Sequence, residues 1–398
     1  MSKITNLHSA FNAPVEGSVD LLIIAGEHSG DEHAAAMVRN LRAANPSLNI
    51  YAIGGGELKA AGAKLLFDLT EASVVGFFEV LKHYGFFKRI FSETLNWIRE
   101  HKPKAVCFVD YPGFNLRLAK ALYEEKLAHK AGGAIRLLYY ISPQIWAWKA
   151  KRRFAMAKYL DSLAVIFPFE VACYKDTDLD VQFVGHPFID KHFHNNILYD
   201  KNGRVLLLPG SRKAAVKRIF PLMLDAFLRL KRTMPDEKAV VLYPTPFLHN
   251  ILKDILETDF PTLVDQVSFL RSDEMVTAKA VLMSSGTISL QCSIEGVPGV
   301  VVYKANLFTY LLGRMLIKIP YLGIANILLN KGMYPEYIQG KATTKALSTE
   351  LEKAIKDAKN NLRVKGLSDQ IKELLACKKA KFSVHQWVLD QLNKVFIG

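Results

Sequence analysis

Three short stretches of this chain place small residues beside groups able to carry chemistry. The first runs from Leu21 to Asp31, L-L-I-I-A-G-E-H-S-G-D. Its apolar run Leu21–Ile24 suits a strand buried on both faces. Gly26, Glu27, Ser29 and Gly30 follow as a turn, and a helical pattern starts near Ala34. Strand, glycine-rich turn and helix in succession present backbone N–H groups to a ligand. The spacing Gly26-x-x-x-Gly30 fits neither a Walker loop nor a dinucleotide fingerprint. Capping of the helix by Ser29 or Asp31 explains the same residues, so both roles stay open.

The other two stretches are Leu207–Arg212, L-L-P-G-S-R, and Ser284–Thr287, S-S-G-T. Each follows an apolar strand pattern and opens a helix. In the second, the N–H groups and hydroxyls of Ser285, Gly286 and Thr287 could hold a diphosphate against the positive helix end. In the first, Gly210, Ser211 and Arg212 add a guanidinium, which bonds phosphate in pairs. Both could be merely capped helix starts. Having two such turns in one half of the chain, one with Arg212, favours phosphate.

Asp110 ends the apolar run Ala105–Val109. A carboxylate there can act as a general base or bond nearby backbone N–H groups, and Asn115 could share either role. His186, in Gly185-His186-Pro187, is a lone histidine, for which a packed structural role is expected. His192 and His194 lack a third ligand nearby, so no metal site is expected there.

Positioning these groups takes two α/β domains, which suits 398 residues of which half are hydrophobic. Strands are predicted at Leu21–Ile24, Ile50–Ile53, Ala105–Val109, Leu137–Ile141 and Leu163–Ile166. A polar stretch, Lys191–Arg204, reads as a linker. Further strands follow at Val205–Leu208, Val240–Tyr243, Val281–Met283 and Gly299–Tyr303. Strands alternating with helices imply mostly parallel sheets, whose ligands bind beyond the carboxyl ends of the strands. The Gly26 turn, Asp110 and the Ser142 loop therefore share one rim. The fold class expected is α/β, with two Rossmann-like domains facing a cleft. Their bounds are 18–190 and 204–365, followed by a helical tail, 366–398, that could pack back on the first domain.

The net charge of +14 implies an anionic partner: nucleic acid, a phosphorylated metabolite or an acidic membrane surface. Four scattered cysteines suggest neither zinc nor a disulfide framework and fit a reducing cytosol. The longest apolar stretch, Phe308–Leu329, is interrupted by Arg314, Lys318 and Pro320 and falls short of a membrane span. The first residues lack the pattern of a signal peptide. In Val74–Phe91, read as helix, Phe77, Leu81, Tyr84 and Phe91 form one stripe, while Phe78 and Phe86 lie off it among Lys82, Lys88 and Arg89. Trp146 and Trp148 likewise precede Lys149, Lys151, Arg152 and Arg153. Aromatic and basic residues together suit a membrane interface, which is favoured over a buried helix with snorkelling cations or a single-strand nucleic-acid groove.

Several motifs stand in a fixed order: A-G-E-H-S-G-D at Ala25–Asp31, D-Y-P-G-F-N at Asp110–Asn115, S-P-Q-I-W-A-W-K at Ser142–Lys149 and G-H-P at Gly185–Pro187. L-L-P-G-S-R at Leu207–Arg212, S-S-G-T at Ser284–Thr287 and Asn326 complete the set. In order and combined, from about Leu21 to Gly340, the chain resembles the lipid-A-disaccharide synthase family of membrane-associated, two-Rossmann-domain (GT-B) glycosyltransferases. The resemblance implies an inverting transfer from UDP-2,3-diacylglucosamine to the 6-hydroxyl of 2,3-diacylglucosamine 1-phosphate, without metal or cofactor. It implies that Asp110 and Arg212 are the catalytic pair. Donor contacts would come from Gly210, Ser211, Ser285, Gly286, Thr287, Gln291 and Asn326. Acceptor contacts would come from Gly26, Glu27, Ser29, Gly30 and Asn115, and membrane contacts from Phe77, Phe78, Leu81 and Phe86. The partners implied are the two acylated sugars and an anionic membrane surface, with no nucleic acid. A homodimer is compatible, and the place is the cytoplasmic face of the inner membrane. The chain departs from the family at Gly113 and Gln291, where Asp and Glu are usual. A UDP-sugar 2-epimerase of the same architecture and a non-catalytic membrane module are the alternatives. A Rossmann oxidoreductase is disfavoured by the missing fingerprint.

Overall fold

The computed structural model describes residues 11–15, 17–70, 84–190, 193–306, 320–376 and 383–396. The chain divides into two units: Met1–His192 with Cys377–Gly398, and Phe193–Ala376.

The first unit is built on seven strands, β1 (Leu21–Ala25), β2 (Ile50–Gly54), β3 (Lys64–Asp68), β4 (Ala105–Val109), β5 (Arg136–Tyr140), β6 (Ser162–Val165) and β7 (Asp180–Phe183). Their order is β3-β2-β1-β4-β5-β6-β7, and every neighbouring pair is parallel. β1, β2 and β4 are buried at every position because helices cover both faces. This is why their sequences are unbroken apolar runs. β3 and β7 sit at the edges, are only half buried and mix polar with apolar residues, so no run announced them. Beyond β1 the chain turns one way and beyond β4 the other, which opens a crevice at their carboxyl ends. A last helix, Val384–Phe396, belongs to this unit. Its buried Trp387 donates through Nε1 to Ser162 Oγ at 2.8 Å, and its Gln391 accepts from Arg136 at 2.9 Å.

The second unit repeats the plan with β8 (Ile197–Leu208), β9 (Ala239–Tyr243), β10 (Val267–Arg271), β11 (Val276–Ser284), β12 (Gly299–Tyr303) and β13 (Glu336–Ile338). The order is β10-β9-β8-β11-β12-β13, again parallel throughout. Its switch point lies between β8 and β11.

Several expectations need correcting. The stretch 191–204 is not all linker, because β8 begins at Ile197 and pairs Ile197 with Val276. Leu198 and Arg204 pair with the adjacent Thr277 and Ala278, so Tyr199–Gly203 bulge outward. Their polar sequence belongs to that excursion, where Asp200 accepts from the Asn202 N–H at 2.9 Å. The tail is not one helix: Ala358–Leu375 packs in the second unit and Val384–Phe396 in the first. Phe77, Phe78 and Leu81 lie outside the described residues. Phe86 is partly buried and packs on Phe67 and Phe87 against the first core, so it is not a free membrane contact. Among the described residues no helix is long and apolar enough to cross a membrane.

Candidate sites at the two switch points

The first unit brings the Gly26 turn and Asp110 together, since they follow adjacent strands β1 and β4. The helix after β1 starts at His28, not near Ala34. Glu27 is its N-cap residue, and no side chain caps it. Asp31 does not cap this helix; its buried carboxylate accepts the N–H groups of Gly55, Glu57 and Leu58 at 2.7, 3.0 and 3.4 Å. It thus caps the neighbouring helix Gly56–Ala60, which leaves the start of His28–Ala44 open to a ligand. Gly26 has a packing reason for lacking a side chain: an added Cβ would lie 2.1 Å from the Tyr111 ring. Glu27 and Ser29 are exposed, while Gly30 is buried against Val109.

Asp110 and Tyr111 both have left-handed backbones, with φ of 44° and 50°. Such strain persists only where surroundings enforce it. Here Asp110 N–H donates to Tyr140 O at 3.0 Å, and its carbonyl accepts from Tyr139 OH at 2.6 Å and Asn115 Nδ2 at 2.8 Å. Asn115 is fully buried, and its Nδ2 also reaches Ile24 O and Val109 O at 3.3 Å each. Asn115 Nδ2 therefore ties the ends of β1 and β4, while its buried Oδ1 has no partner among the described residues.

Burial, and then the charge of Glu27, push the Asp110 carboxyl up to about 6. Nearby Glu170 is buried and pushed up to about 8 by desolvation. It accepts from Phe167 N–H at 3.1 Å and Trp146 Nε1 at 3.3 Å. A neutral Glu170 leaves Asp110 without a second buried negative charge beside it. His186 is buried, and its Nδ1 accepts from Phe188 N–H at 3.1 Å. The neutral ring then carries its proton on Nε2, and burial followed by His33 pushes its pKa down to about 3. It packs between Phe167 and Phe188.

In the second unit the two phosphate-type loops also meet, because β8 and β11 are neighbours. Gly210 has φ of 108°, and a Cβ there would lie 3.1 Å from Ser284 Oγ. Arg212 is the exposed N-cap residue of helix Lys213–Leu230, which no side chain caps. Among the described residues its guanidinium makes no ion pair. Gly286 holds the same position for helix Thr287–Ile294, also without a side-chain cap. Ser285 is half-buried, Ser211, Gly286 and Thr287 are exposed, and Gln291 lies one turn beyond Thr287 on the same face. By contrast, helices Pro246–Asp259, Thr344–Lys356 and Ala358–Leu375, which start elsewhere, are capped by Thr245, Thr343 and Asp357.

Asn326 does not join this rim. It is buried, its Nδ2 donates to Tyr334 O and Glu336 at 2.9 and 2.8 Å, and its Oδ1 accepts from Met333 and Tyr334 N–H. No hydrogen-bonding capacity remains for a donor sugar. Glu336 in turn accepts from the N–H groups of Leu322 and Gly323 at 2.9 Å each. Glu170, Tyr111 and Glu336 were not singled out from sequence. Nothing local marks them, because each acts through tertiary neighbours.

Two parallel sheets, each with open helix starts at its own switch point, define a two-Rossmann-domain protein of the GT-B type. Solved structures agree on the fold. UDP-GlcNAc 2-epimerase from Neisseria meningitidis matches with a TM-score of 0.60 at 13% identity, covering 96% of this chain and 100% of that one. The glycotransferase of kitacinnamycin matches with 0.58 at 14%, covering 96% and 100%. Sequence narrows the class further. The family model for lipid-A-disaccharide synthetase matches residues 21–388. Lipid-A-disaccharide synthase 1 of Legionella pneumophila is 36% identical over 384 residues, 94% of this chain and 97% of that protein. The synthase of Geobacter sulfurreducens is 32% identical over 386 residues, with the same shares. The chain belongs to the lipid-A-disaccharide synthetase family and is a glycosyltransferase of lipid A biosynthesis.

Proposed function

We propose that the chain joins UDP-2,3-diacylglucosamine to 2,3-diacylglucosamine 1-phosphate, with Asp110 as general base and Arg212 at the leaving diphosphate. The acceptor 6-oxygen attacks the anomeric carbon as the bond to the UDP oxygen breaks, and its proton passes to Asp110. Attack opposite the leaving group inverts the centre to a β-1,6 linkage. The observation that carries this is Asp110 itself, on the crevice rim of the first sheet with its carboxyl held near 6. That is ionised at neutral pH yet basic enough to take a proton in the transition state. His186 is disfavoured as base, because its Nε2 already holds the proton. The charge developing on UDP meets Arg212 and the open helix start at Thr287. Glu27, Ser29 and Gly30 would receive the acceptor, with Gly26 making room for Tyr111. Acylated sugars imply work at the cytoplasmic face of the inner membrane, where Phe77, Phe78 and Leu81 would collect them.

Supplying both acylated sugars should yield the disaccharide 1-phosphate and UDP in equal amounts. UDP-sugar alone should remain unchanged. Isomerised sugar without disaccharide would instead assign the chain to the chemistry named for its epimerase neighbours.

The pH profile should follow Asp110. Its carboxyl must be ionised to accept a proton, so kcat/KM should fall tenfold per unit below about 6. Above about 8 Glu170 ionises, but Asp110 is already ionised there and stays competent as base, so the rate should hold. Glu170→Gln should therefore leave the acid limb in place. A profile flat from pH 5 to pH 7 would remove Asp110 from the base role.

A further inference from the structure

Strand β5 runs beside β4, with Tyr139 opposite Phe108 and Tyr140 opposite Val109. Asp110 is the first residue beyond this paired stretch, and β5 holds both of its backbone polar groups. The Asp110 N–H continues the ladder by donating to Tyr140 O at 3.0 Å. Its carbonyl leaves the ladder with the left-handed turn, and there Tyr139 OH donates to it at 2.6 Å. Local sequence does not select this turn. Neither Asp110 nor Tyr111 has the freedom of glycine at positive φ. Tyr111 also precedes Pro112, which opens helix Pro112–Glu124, and a residue before proline favours extended backbone. Tertiary contacts therefore hold the turn: the Tyr139 hydroxyl, Asn115 Nδ2 on the same carbonyl at 2.8 Å, and the space that Gly26 leaves for the Tyr111 ring. Asn115 spreads its amide over three carbonyls, whereas among the described residues the Tyr139 hydroxyl serves Asp110 alone. Tyr139 is fully buried, its ring tilted against Phe108 at 6.1 Å between centres, so the donor is fixed in place. Burial, and then the charge of Asp110, hold its hydroxyl well above the usual tyrosine range. It keeps its proton, and so stays a donor, wherever Asp110 is ionised.

We propose that Tyr139 is a positioning residue for the transfer: its hydroxyl pins the strained strand-to-helix turn that lifts the Asp110 carboxylate off the ladder and onto the crevice rim. A sharp, strained turn at the end of a strand presents a reacting side chain that ordinary backbone would carry into the next element. Without the pin the turn relaxes and the carboxylate leaves its line to the acceptor hydroxyl. The inference rests on Asp110 being the base, as proposed above, and adds what aims it.

The test is a double-mutant cycle on the full chain, with kcat and KM for both acylated sugars measured for Tyr139→Phe, Asp110→Asn and the pair. Phe keeps the ring and its packing on Phe108 and removes only the donor. Misplacing a catalytic group by about 1 Å costs around 10²-fold, so Tyr139→Phe should lower kcat roughly 10–100-fold and leave both KM values within about threefold. In the Asp110→Asn background the same substitution should cost less than about twofold, because no base remains to be aimed. A structural role unconnected with the base costs the same factor in both backgrounds. Equal factors, or turnover of Tyr139→Phe within about twofold of wild type, would overturn the proposal. Replacing Tyr139 by para-aminophenylalanine returns a donor to the ring tip and should bring kcat back to within about threefold of wild type. That variant decides the matter even where Tyr139→Phe does not fold: a folded chain with the full loss of rate would show that a donor there does not aim the base. If Asp110→Asn keeps wild-type turnover, the base assignment fails and this inference with it. Equal factors beside a crippled Asp110→Asn reject the pin alone and leave the base in place.

Discussion

Asp110→Asn should lower turnover roughly 10²–10⁴-fold, the usual worth of a general base, while UDP affinity stays within a factor of a few. The substitution keeps shape and removes basicity. It should also stabilise the fold. The Asp110 carboxyl is raised from 3.8 to about 6 in the folded chain, so the folded state holds the proton more tightly than the unfolded one. Its ionised form therefore costs stability above that range, and the cost disappears as pH falls through 6 towards 4. A shift of this size corresponds to roughly 3 kcal/mol, less because the carboxylate is partly exposed. Asn should recover about 1–2 kcal/mol at pH 7.5 and nothing at pH 4, read as a pH-dependent gain in Tm. Loss of rate with loss of stability would mean that the variant reports folding rather than chemistry. If His186→Ala loses the rate and Asp110→Asn keeps it, the base is His186.

Arg212→Ala should cost roughly 10²–10³-fold in turnover, the magnitude of one transition-state donor, and weaken UDP in calorimetry. The structure makes this a clean substitution. The Arg212 side chain is exposed and does not cap the helix it precedes, so its loss should leave Tm unchanged. A helix-capping role predicts the reverse, lower stability at unchanged UDP affinity.

Much of this was legible in the sequence because central parallel strands, buried on both faces, are continuous apolar runs that end abruptly at the rim. The loops that follow β1, β4, β8 and β11 could be picked out for that reason. Edge strands β3, β7, β10 and β13 were not legible, since half-exposed strands tolerate charge and break the run. The start of the first helix was misplaced because Ser29 and Gly30 are weak helix formers, and tertiary packing against Val109 overrides them. Asn115 and Asn326 were assigned to ligands, yet both are buried. Nothing in a local sequence tells an amide that will meet a ligand from one that will tie strand ends. Glu170 could not be read at all, because its environment comes from Trp146 and Phe167, which only the fold brings to it.

The position of helix Val384–Phe396 has a consequence for how the protein is made. The ribosome releases the seven strands of the first unit, then all of the second, and only afterwards the helix that brings Trp387 to Ser162. Until then the first unit lacks the contacts of Trp387 with Ser162 and of Gln391 with Arg136. The second unit has no such wait, as its own strands and helices are contiguous. The order of synthesis and the order of completion are therefore reversed, and the nascent first unit is the natural client for a holding chaperone.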